Sequence, residues 1–200
     1  CSCSSYINNS HMLDGFVVFD LAHNVIIGQG ETAIATARYL LHERMTFEVL
    51  SSQENRLPKD IRAHYTNQIS KCSLAWVSPG IQPGSAILEQ VKDAQQILDI
   101  DYFLTHTQSN VILVTGTNGK STVCVYLQQM LLSLGFTCDV YGNYKPGLLH
   151  ALQQKLDWVI LELSSFQLYR MMSGHQVAGV LLLNIKLDHL DWHTSESEYR

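Results

Sequence analysis

The segment at residues 111–122, VILVTGTNGKST, constrains the fold of this chain more than any other part of the sequence. A short apolar run leads into a glycine-containing loop, and an amphipathic helical pattern starts directly after it. Such a loop lets backbone N–H groups converge on phosphate oxygens, and the start of the helix turns its positive dipole end to the same anion. We therefore predict a phosphate-binding unit formed by Gly116, Thr117, Asn118, Gly119, Lys120, Ser121 and Thr122.

Two side chains of this loop carry the chemistry expected of a nucleotide site. Lys120 would reach the β- and γ-phosphates, and the Ser121 hydroxyl would bind Mg²⁺. Only two residues separate the first glycine from the Gly-Lys pair, whereas the common phosphate loop has four residues there. A tight strand-to-helix turn with a chance Gly-Lys-Ser sequence is the alternative, and the flanking strand and helix argue against it.

Strand-like and helix-like segments alternate along the chain, which predicts an α/β fold with parallel sheets and helices on their faces. The pattern restarts at residues 99–110, so we expect two domains in tandem. A disordered or tag-like lead at residues 1–12 would precede a Rossmann-like domain at residues 13–104 and an incomplete P-loop-type central domain at residues 105–200. The predicted strands lie at residues 25–27, 47–50, 74–77, 111–115, 137–141, 158–161 and 177–184, and helices are predicted at residues 34–41, 85–96 and 121–134.

Composition limits the class of partner. A net charge of −5 without a basic cluster argues against nucleic acid. The apolar runs have strand length, too short to span a bilayer, and no basic-then-apolar leader opens the chain, so we expect no membrane partner and a cytoplasmic location. The five cysteines are odd in number, and Cys72, Cys124 and Cys138 lie in apolar segments. We expect these three to be buried and reduced.

Two turns in the first half of the chain are candidates for ligand contacts. Gly28-Gln29-Gly30 follows a strand, and such a turn can approach a diphosphate closely. The third glycine of a dinucleotide fingerprint is missing, so a dinucleotide site and a plain tight turn both stay open. The second turn, Ser78-Pro79-Gly80, follows a later strand, and a simple Pro-Gly turn is the alternative to a ligand contact there.

Polar side chains also follow strands in the second half. Glu162 stands at the end of a predicted strand beside the phosphate loop, a position suited to holding Mg²⁺. Ser164 and Gln167 offer neutral hydrogen bonds to a sugar or a carboxylate, and Ser164 or Ser165 would also serve as a helix cap. His189 follows the last predicted strand and suits a metal or carboxylate contact, although a lone histidine there is more often structural.

Together these motifs resemble those of the Mur ligase family, from about residue 14 onward. The shortened loop is the form found in Mur ligases and in the related folylpolyglutamate synthases. Residues 162–168, ELSSFQL, resemble the signature of the members that add D-glutamate, and residues 184–191 resemble the family's Asn-x-x-x-Asp-His-x-Asp motif. Gly142-Asn143 resembles the loop that contacts the muramoyl acceptor, and residues 77–81 resemble a Ser-Pro-Gly-Ile turn that lies near the uridine.

The resemblance implies an ATP-dependent ligase of peptidoglycan synthesis that uses Mg²⁺. It would join D-glutamate to UDP-N-acetylmuramoyl-L-alanine through an acyl phosphate. Lys120, Glu162 and His189 would be catalytic. Ser121, Glu162 and His189 would bind metal, with Asp188 and Asp191 supporting the histidine. The residues that would bind the UDP-sugar are Gly28, Gly30, Thr32, Ser78, Pro79, Gly80, Asn143, Ser164 and Gln167.

The sequence departs from the family pattern at residues 51–53, where Ser-Ser-Gln stands in place of the Asp and Arg that read the uracil. Tyr144-Lys145 also departs from the usual continuation after Asn143. The family's carbamylated lysine and third domain would lie beyond Arg200, so we expect the chain alone to be inactive. The alternatives are another Mur ligase or a folylpolyglutamate synthase, and a non-catalytic remnant that binds a UDP-sugar or nucleotide.

Overall fold

Two parallel β-sheets, built one after the other along the chain, frame the protein in the computed structural model, which describes residues 23–69, 72–143, 145 and 147–186. The first sheet contains β1 (Asn24–Ile27), β2 (Phe47–Leu50), β3 (Tyr65–Thr66), β4 (Leu74–Val77) and β5 (Gln95–Ile97). Its spatial order is β3–β2–β1–β4–β5, and all its pairs are parallel. β1 and β4 are buried along their whole length, as strands covered on both faces are.

The second sheet contains β6 (Asn110–Thr115), β7 (Cys138–Gly142), β8 (Trp158–Glu162) and β9 (Gly179–Leu182). Its spatial order is β7–β8–β6–β9, again with parallel pairs only. β6 therefore lies inside the sheet, and its carboxyl end opens between those of β8 and β9.

Six α-helices lie among the described residues: α1 (Glu31–His42), α2 (Lys59–Arg62), α3 (Ala86–Glu89), α4 (Asp99–His106), α5 (Lys120–Ser133) and α6 (Ser165–Arg170). Short 3-10 helices occur at Glu54–Arg56 and Leu148–Gln153. α1 buries Ala33, Ala37 and Leu40, which share one helical face. None of the helices in the described ranges is long and apolar enough to cross a membrane.

One hydrophobic cluster joins the two sheets. Leu40 and Trp76 of the first half and Phe103 of α4 belong to it, together with Leu148 and Leu161 of the second half. The helix α4 and the 3-10 helix at Leu148–Gln153 form much of this shared core, because they lie between the sheets. The two halves are therefore packed against each other, and the boundary predicted at residue 104 stays a prediction.

The α/β class is confirmed, and each predicted strand lies within two residues of an observed one. The helix predicted at residues 85–96 is wrong. α3 ends at Glu89, and residues 95–97 form β5, which pairs with residues 74–76 and buries Ile97. Pairing with the free edge of β4 satisfies backbone groups that a longer helix would leave open. α4 also lies within the stretch that was predicted only as a restart of the pattern.

Candidate functional site

The carboxyl ends of β1 and β4 form one side of the candidate site. The chain runs from β1 to β2 and β3 on one side and then crosses to β4 on the other. A crevice opens outside the strand ends at such a switch point, and ligands of open α/β sheets bind there. Gly28 leaves β1 with a φ of +130°, and a β-carbon there would collide with the Ser78 hydroxyl. The two turns can approach this closely only because residue 28 is glycine.

Two neutral side chains form a hydrogen-bonded pair in the crevice: Ser51, which follows β2, and Gln29, which follows β1. Ser51 is buried, and its hydroxyl donates a hydrogen bond of 2.7 Å to Gln29 Oε1. The same hydroxyl oxygen accepts a bond of 3.2 Å from Gln53 N. Gln29 is not among the predicted site residues, because a lone glutamine between two glycines carries no pattern of its own. The structure shows it in the crevice, beside the position where charged residues were expected.

One cavity of about 490 Å³ lies between the two halves of the chain. We call residues 28–32 and 78–81 its first wall, and Asn143, Ser164 and Gln167 its second wall. The volume is within the range of pockets that enclose small molecules. The structure brings together on this cavity all the residues predicted to bind a UDP-sugar: Gly28, Gly30, Thr32, Ser78, Pro79, Gly80, Asn143, Ser164 and Gln167.

The phosphate loop connects β6 to α5. Gly116 and Gly119 have φ angles of +140° and +88°, which glycine adopts without strain. Lys120 Nζ donates hydrogen bonds of 2.7 and 3.1 Å to the carbonyl oxygens of Gly116 and Thr117. The ammonium group is therefore held over the loop, at the start of a helix of 14 residues. An anion bound there would meet both the lysine charge and the helix dipole.

The segment after β9 is bound to this loop by reciprocal hydrogen bonds. Asn184 accepts from Asn118 N at 3.0 Å and donates to Asn118 O at 2.8 Å. The Thr117 hydroxyl donates to Lys186 O at 3.0 Å and accepts from Lys186 N at 2.8 Å. These two pairs of hydrogen bonds hold Thr117 and Asn118, in the middle of the loop, against the segment that follows β9. The predicted metal-site residues that follow in the sequence, His189 with Asp188 and Asp191, lie outside the described residues.

Glu162 ends β8 and is only 2% exposed. Its Oε1 accepts a hydrogen bond of 3.1 Å from Asn143 Nδ2. Its Oε2 is buried and has no hydrogen-bond partner within the described part of the chain. A buried carboxylate oxygen without a donor is costly, and a cation placed against it removes that cost.

Glu162 and Ser121 fit the requirements of Mg²⁺. The ion is usually held by one or two carboxylates together with phosphate oxygens and water, and not by a cage of protein ligands. Ser121 is exposed in the first turn of α5, and Thr122 lies exposed beside it. Residues 23–69, 72–143, 145 and 147–186 contain no group of three or more His, Cys, Asp and Glu that could hold a metal by themselves. A magnesium ion held by Glu162 and Ser121 would also bind phosphate oxygens of a nucleotide and water.

A second cavity of about 470 Å³ lies over the phosphate loop and adjoins the first. Gly116, Thr117 and Lys120 line it on one side. Asn143, Ser164 and Phe166 line both cavities. A ligand that extends along the first cavity can therefore place its end beside a phosphate bound at the loop.

The helix α6 begins where the two cavities meet. Two of the predicted site residues, Ser164 and Gln167, form its N-terminal cap. The Ser164 hydroxyl oxygen accepts a hydrogen bond of 3.3 Å from Gln167 N. Gln167 Oε1 accepts from Ser164 N at 2.9 Å, which completes a capping box. The expectation that Ser164 caps a helix is confirmed. The capping box also fixes both side chains at the rim of the crevice.

The two buried thiols of the second half, Cys124 and Cys138, are poorly suited to act as nucleophiles. Cys124 lies in α5 behind the loop, and burial raises the pKa of its thiol to about 12. Burial also raises the pKa of the Cys138 thiol, to about 11. Neither is present as thiolate at neutral pH, which is the reactive form. Cys72, Cys124 and Cys138 are all free thiols, as expected, but only Cys124 and Cys138 are buried, and Cys72 is half-buried.

The fold and the site define a class: a two-sheet α/β protein in which a crevice at a Rossmann-like switch point adjoins a phosphate loop. The sequence matches the Mur ligase middle domain over residues 114–200. It is 31% identical to the UDP-N-acetylmuramoylalanine–D-glutamate ligase of Thermotoga petrophila, over 86% of this chain and 43% of that protein. The ligase of the same name from Vibrio parahaemolyticus is 31% identical, over 89% of this chain and 44% of that protein.

The chain belongs to the Mur ligase family. It spans about 43% of the length of the Thermotoga relative. A solved structure of a pseudomurein peptide ligase type C from Methanothermus fervidus is 20% identical, with a TM-score of 0.42, over 88% of this chain and 41% of that one. That likeness is too distant to add to the assignment.

Proposed function

We propose that this chain takes part in the ATP-dependent joining of D-glutamate to UDP-N-acetylmuramoyl-L-alanine, a step of peptidoglycan synthesis. The observation that carries the proposal is the junction of the two cavities at Asn143, Ser164 and Phe166. A ligase that activates a carboxylate with ATP needs an elongated acceptor site that ends beside the γ-phosphate. The similarity to D-glutamate ligases supports this choice of substrates over those of other family members.

In this proposal the first wall holds the diphosphate of the UDP-sugar. The turn at residues 28–30 brings backbone N–H groups and the start of α1 toward the diphosphate. Gln29 and Ser51 present an amide and a hydroxyl to the base, in place of a charged clamp. Asn143 and Ser164 on the second wall meet the muramoyl part, so that the alanyl carboxylate points to the phosphate loop.

The chemistry proposed has two steps. An oxygen of the alanyl carboxylate attacks the γ-phosphorus of ATP, and ADP leaves. The D-glutamate amine then attacks the acyl carbon, and phosphate leaves as the amide forms. Lys120 and the loop amides stabilise the charge that develops on the transferred phosphoryl group. Glu162 and Ser121 would hold Mg²⁺, which supplies further positive charge to the phosphate oxygens.

Calorimetric titration of the purified chain tests the proposal. UDP-N-acetylmuramoyl-L-alanine is compared with UDP-N-acetylglucosamine and with a folate, in separate titrations. We expect saturable binding that prefers the muramoyl ligand by about tenfold or more, since contacts of the second wall then add about 1.4 kcal/mol or more. Equal binding of both UDP-sugars would favour a non-catalytic UDP-sugar module, and preference for the folate would favour a folylpolyglutamate synthase.

Nucleotide binding is tested separately with two pairs of variants. K120A should weaken ATP binding about tenfold or more and leave the acceptor affinity unchanged, because the lysine meets phosphate alone. K155A, an exposed lysine at the other end of the sheet, is its control. E162Q should abolish the gain in ATP affinity that Mg²⁺ provides, whereas E89Q should keep it. Unchanged ATP binding in K120A would refute the phosphate-loop assignment.

A further inference from the structure

A buried carboxylate lies between the two halves of the chain and outside both cavities. Asp101 lies in the first turn of α4 and is 1% exposed. Its Oδ2 accepts a hydrogen bond of 2.9 Å from Leu98 N. Its Oδ1 accepts from Met172 N at 2.9 Å and from His175 Nε2 at 3.0 Å. Three N–H donors on one buried carboxylate offset its desolvation and make it costly to disturb.

The donors come from both halves. Leu98 directly follows β5, the edge strand of the first sheet, and it precedes α4. Met172 and His175 belong to the segment between α6 and β9 of the second half. Asp101 therefore ties the end of the first sheet to the segment that continues from the second wall. We call this set of bonds the Asp101 latch.

A second contact holds the same segment from the other side. Arg170, the last residue of α6, donates a hydrogen bond from its guanidinium group to the carbonyl oxygen of Ile81. Ile81 is part of the first wall. Residues 164–175 thus start at the second wall, contact the first wall through Arg170, and end at the Asp101 latch. Their position sets the separation of the two walls.

We propose that Asp101 is a positioning residue for the crevice: through Met172 and His175 it fixes α6, and with it Ser164 and Gln167, at the distance from the first wall that a two-wall ligand requires. Asp101 touches no ligand itself, because it lies outside both cavities. Loss of the latch therefore weakens ligands that contact both walls and spares ligands that contact only the first. The ligand part of this inference rests on the proposed function.

The variant D101N tests the latch because asparagine keeps the size of the side chain but places an NH₂ group against N–H donors. UDP-N-acetylmuramoyl-L-alanine serves as the two-wall ligand and UDP as the first-wall ligand. We expect D101N to reduce the ratio of their affinities about tenfold, as the loss of a charge-assisted hydrogen bond does. D60N, an exposed carboxylate in the first half, is the matched control and should leave the ratio unchanged.

Two further variants, H175A and H175Q, test the same proposal if D101N does not fold. H175A removes one of the three donors and should lower the ratio less than D101N does. H175Q retains an N–H donor, so its affinity ratio should lie between that of H175A and that of the wild type. A ratio that stays at the wild-type value in D101N and H175A, both folded by circular dichroism, would overturn the proposal.

A ligand-free measurement separates this inference from the proposed function. Amide hydrogen exchange of residues 164–175 should speed up about tenfold or more in D101N and stay unchanged in D60N, because the Met172 N–H loses its acceptor. If the wild-type chain binds no UDP-sugar, the proposed function fails, and the exchange rates still decide the latch. Wild-type exchange in D101N would refute it.

Discussion

Asp99 begins α4, and its carboxylate accepts a hydrogen bond of 3.0 Å from Ile100 N. The carboxyl group is enclosed, although the residue as a whole is only half-buried. Burial, together with the nearby charge of Asp101, raises its pKa from 3.8 to about 6. An acid with a raised pKa binds its proton more tightly in the folded chain than in the unfolded one. Folding stability therefore falls as the pH rises from about 4 to about 6.

We predict that D99N stabilises the protein at neutral pH and not in acid. The amide keeps an oxygen that can accept from Ile100 N, and it removes a charge that is costly in this position. A shift of about two pKa units corresponds to at most about 3 kcal/mol, so we expect a gain of about 1–3 kcal/mol at pH 7 and little at pH 4. Urea unfolding at several pH values measures it. D93N, an exposed control, should gain nothing, and a gain independent of pH would contradict the assignment.

Most of the site residues could be predicted from the sequence because they sit at strand ends with recognisable neighbours. Glu162 and Lys120 follow apolar runs, so their places at the sheet edge follow from the strands. Gln29 could not be predicted, since its role depends on the Ser51 hydroxyl from another strand. Asp101 and His175 lie far apart in the sequence, and no spacing announces a contact between them. Only the packing of the two halves brings them together.

At the scale of elements, the junction between β7 and β8 controls where Asn143 lies. Gly142 pairs with Glu162 and turns out of β7 with a φ of +87°. A β-carbon at Gly142 would collide with the backbone carbonyl of Glu162. Asn143 N donates a bond of 2.8 Å to this carbonyl, and Asn143 Nδ2 bonds the Glu162 carboxylate. The close approach of the two strands thus positions the amide that lines both cavities.

We predict that G142A destabilises the protein more than G135A does. Gly135 follows α5 with a φ of +89°, and a β-carbon there would meet nothing within 4 Å. Both variants carry the backbone cost of a left-handed alanine, about 1 kcal/mol, and only G142A adds a collision with backbone. We expect a difference of about 2 kcal/mol in the free energy of unfolding. Urea denaturation measures it, and equal losses would show that β7 moves freely away from β8.

The length of an element decides how well its sequence predicts it. Long buried strands and α5 were predicted within two residues, because their periodicity extends over several turns or a full strand. β3 has two residues and β5 has three, too few for a pattern. The sequence of residues 85–96 has a helical pattern, and tertiary pairing with β4 overrides it at its end. Short elements are decided by their neighbours.

At the scale of the whole molecule, the shared core couples the stability of the two sheets. Residues of both halves, such as Leu40 and Leu148, belong to one hydrophobic cluster. Gln153 also donates to Glu43 Oε1 at 2.8 Å across the outer edge of the interface. The Asp101 latch adds a buried polar contact to this apolar interface. An interface with a continuous apolar core and a buried charge resists separation more than a small polar contact between domains does.

We therefore predict that the two halves unfold in one cooperative transition. Trp76 is buried in the shared core, and Trp158 packs beneath α5 in the second half. Each serves as a local probe in a variant that has the other two tryptophans replaced, W158F/W192F and W76F/W192F. In each variant, the fluorescence midpoint in urea should equal the midpoint from circular dichroism, because one transition exposes both sheets.

Comparison within a variant removes the effect of the substitutions themselves, such as loss of the 3.0 Å bond from Trp76 Nε1 to Asn24. Midpoints that differ between the two methods would show that the sheets unfold separately and that the shared core is not enough to couple them.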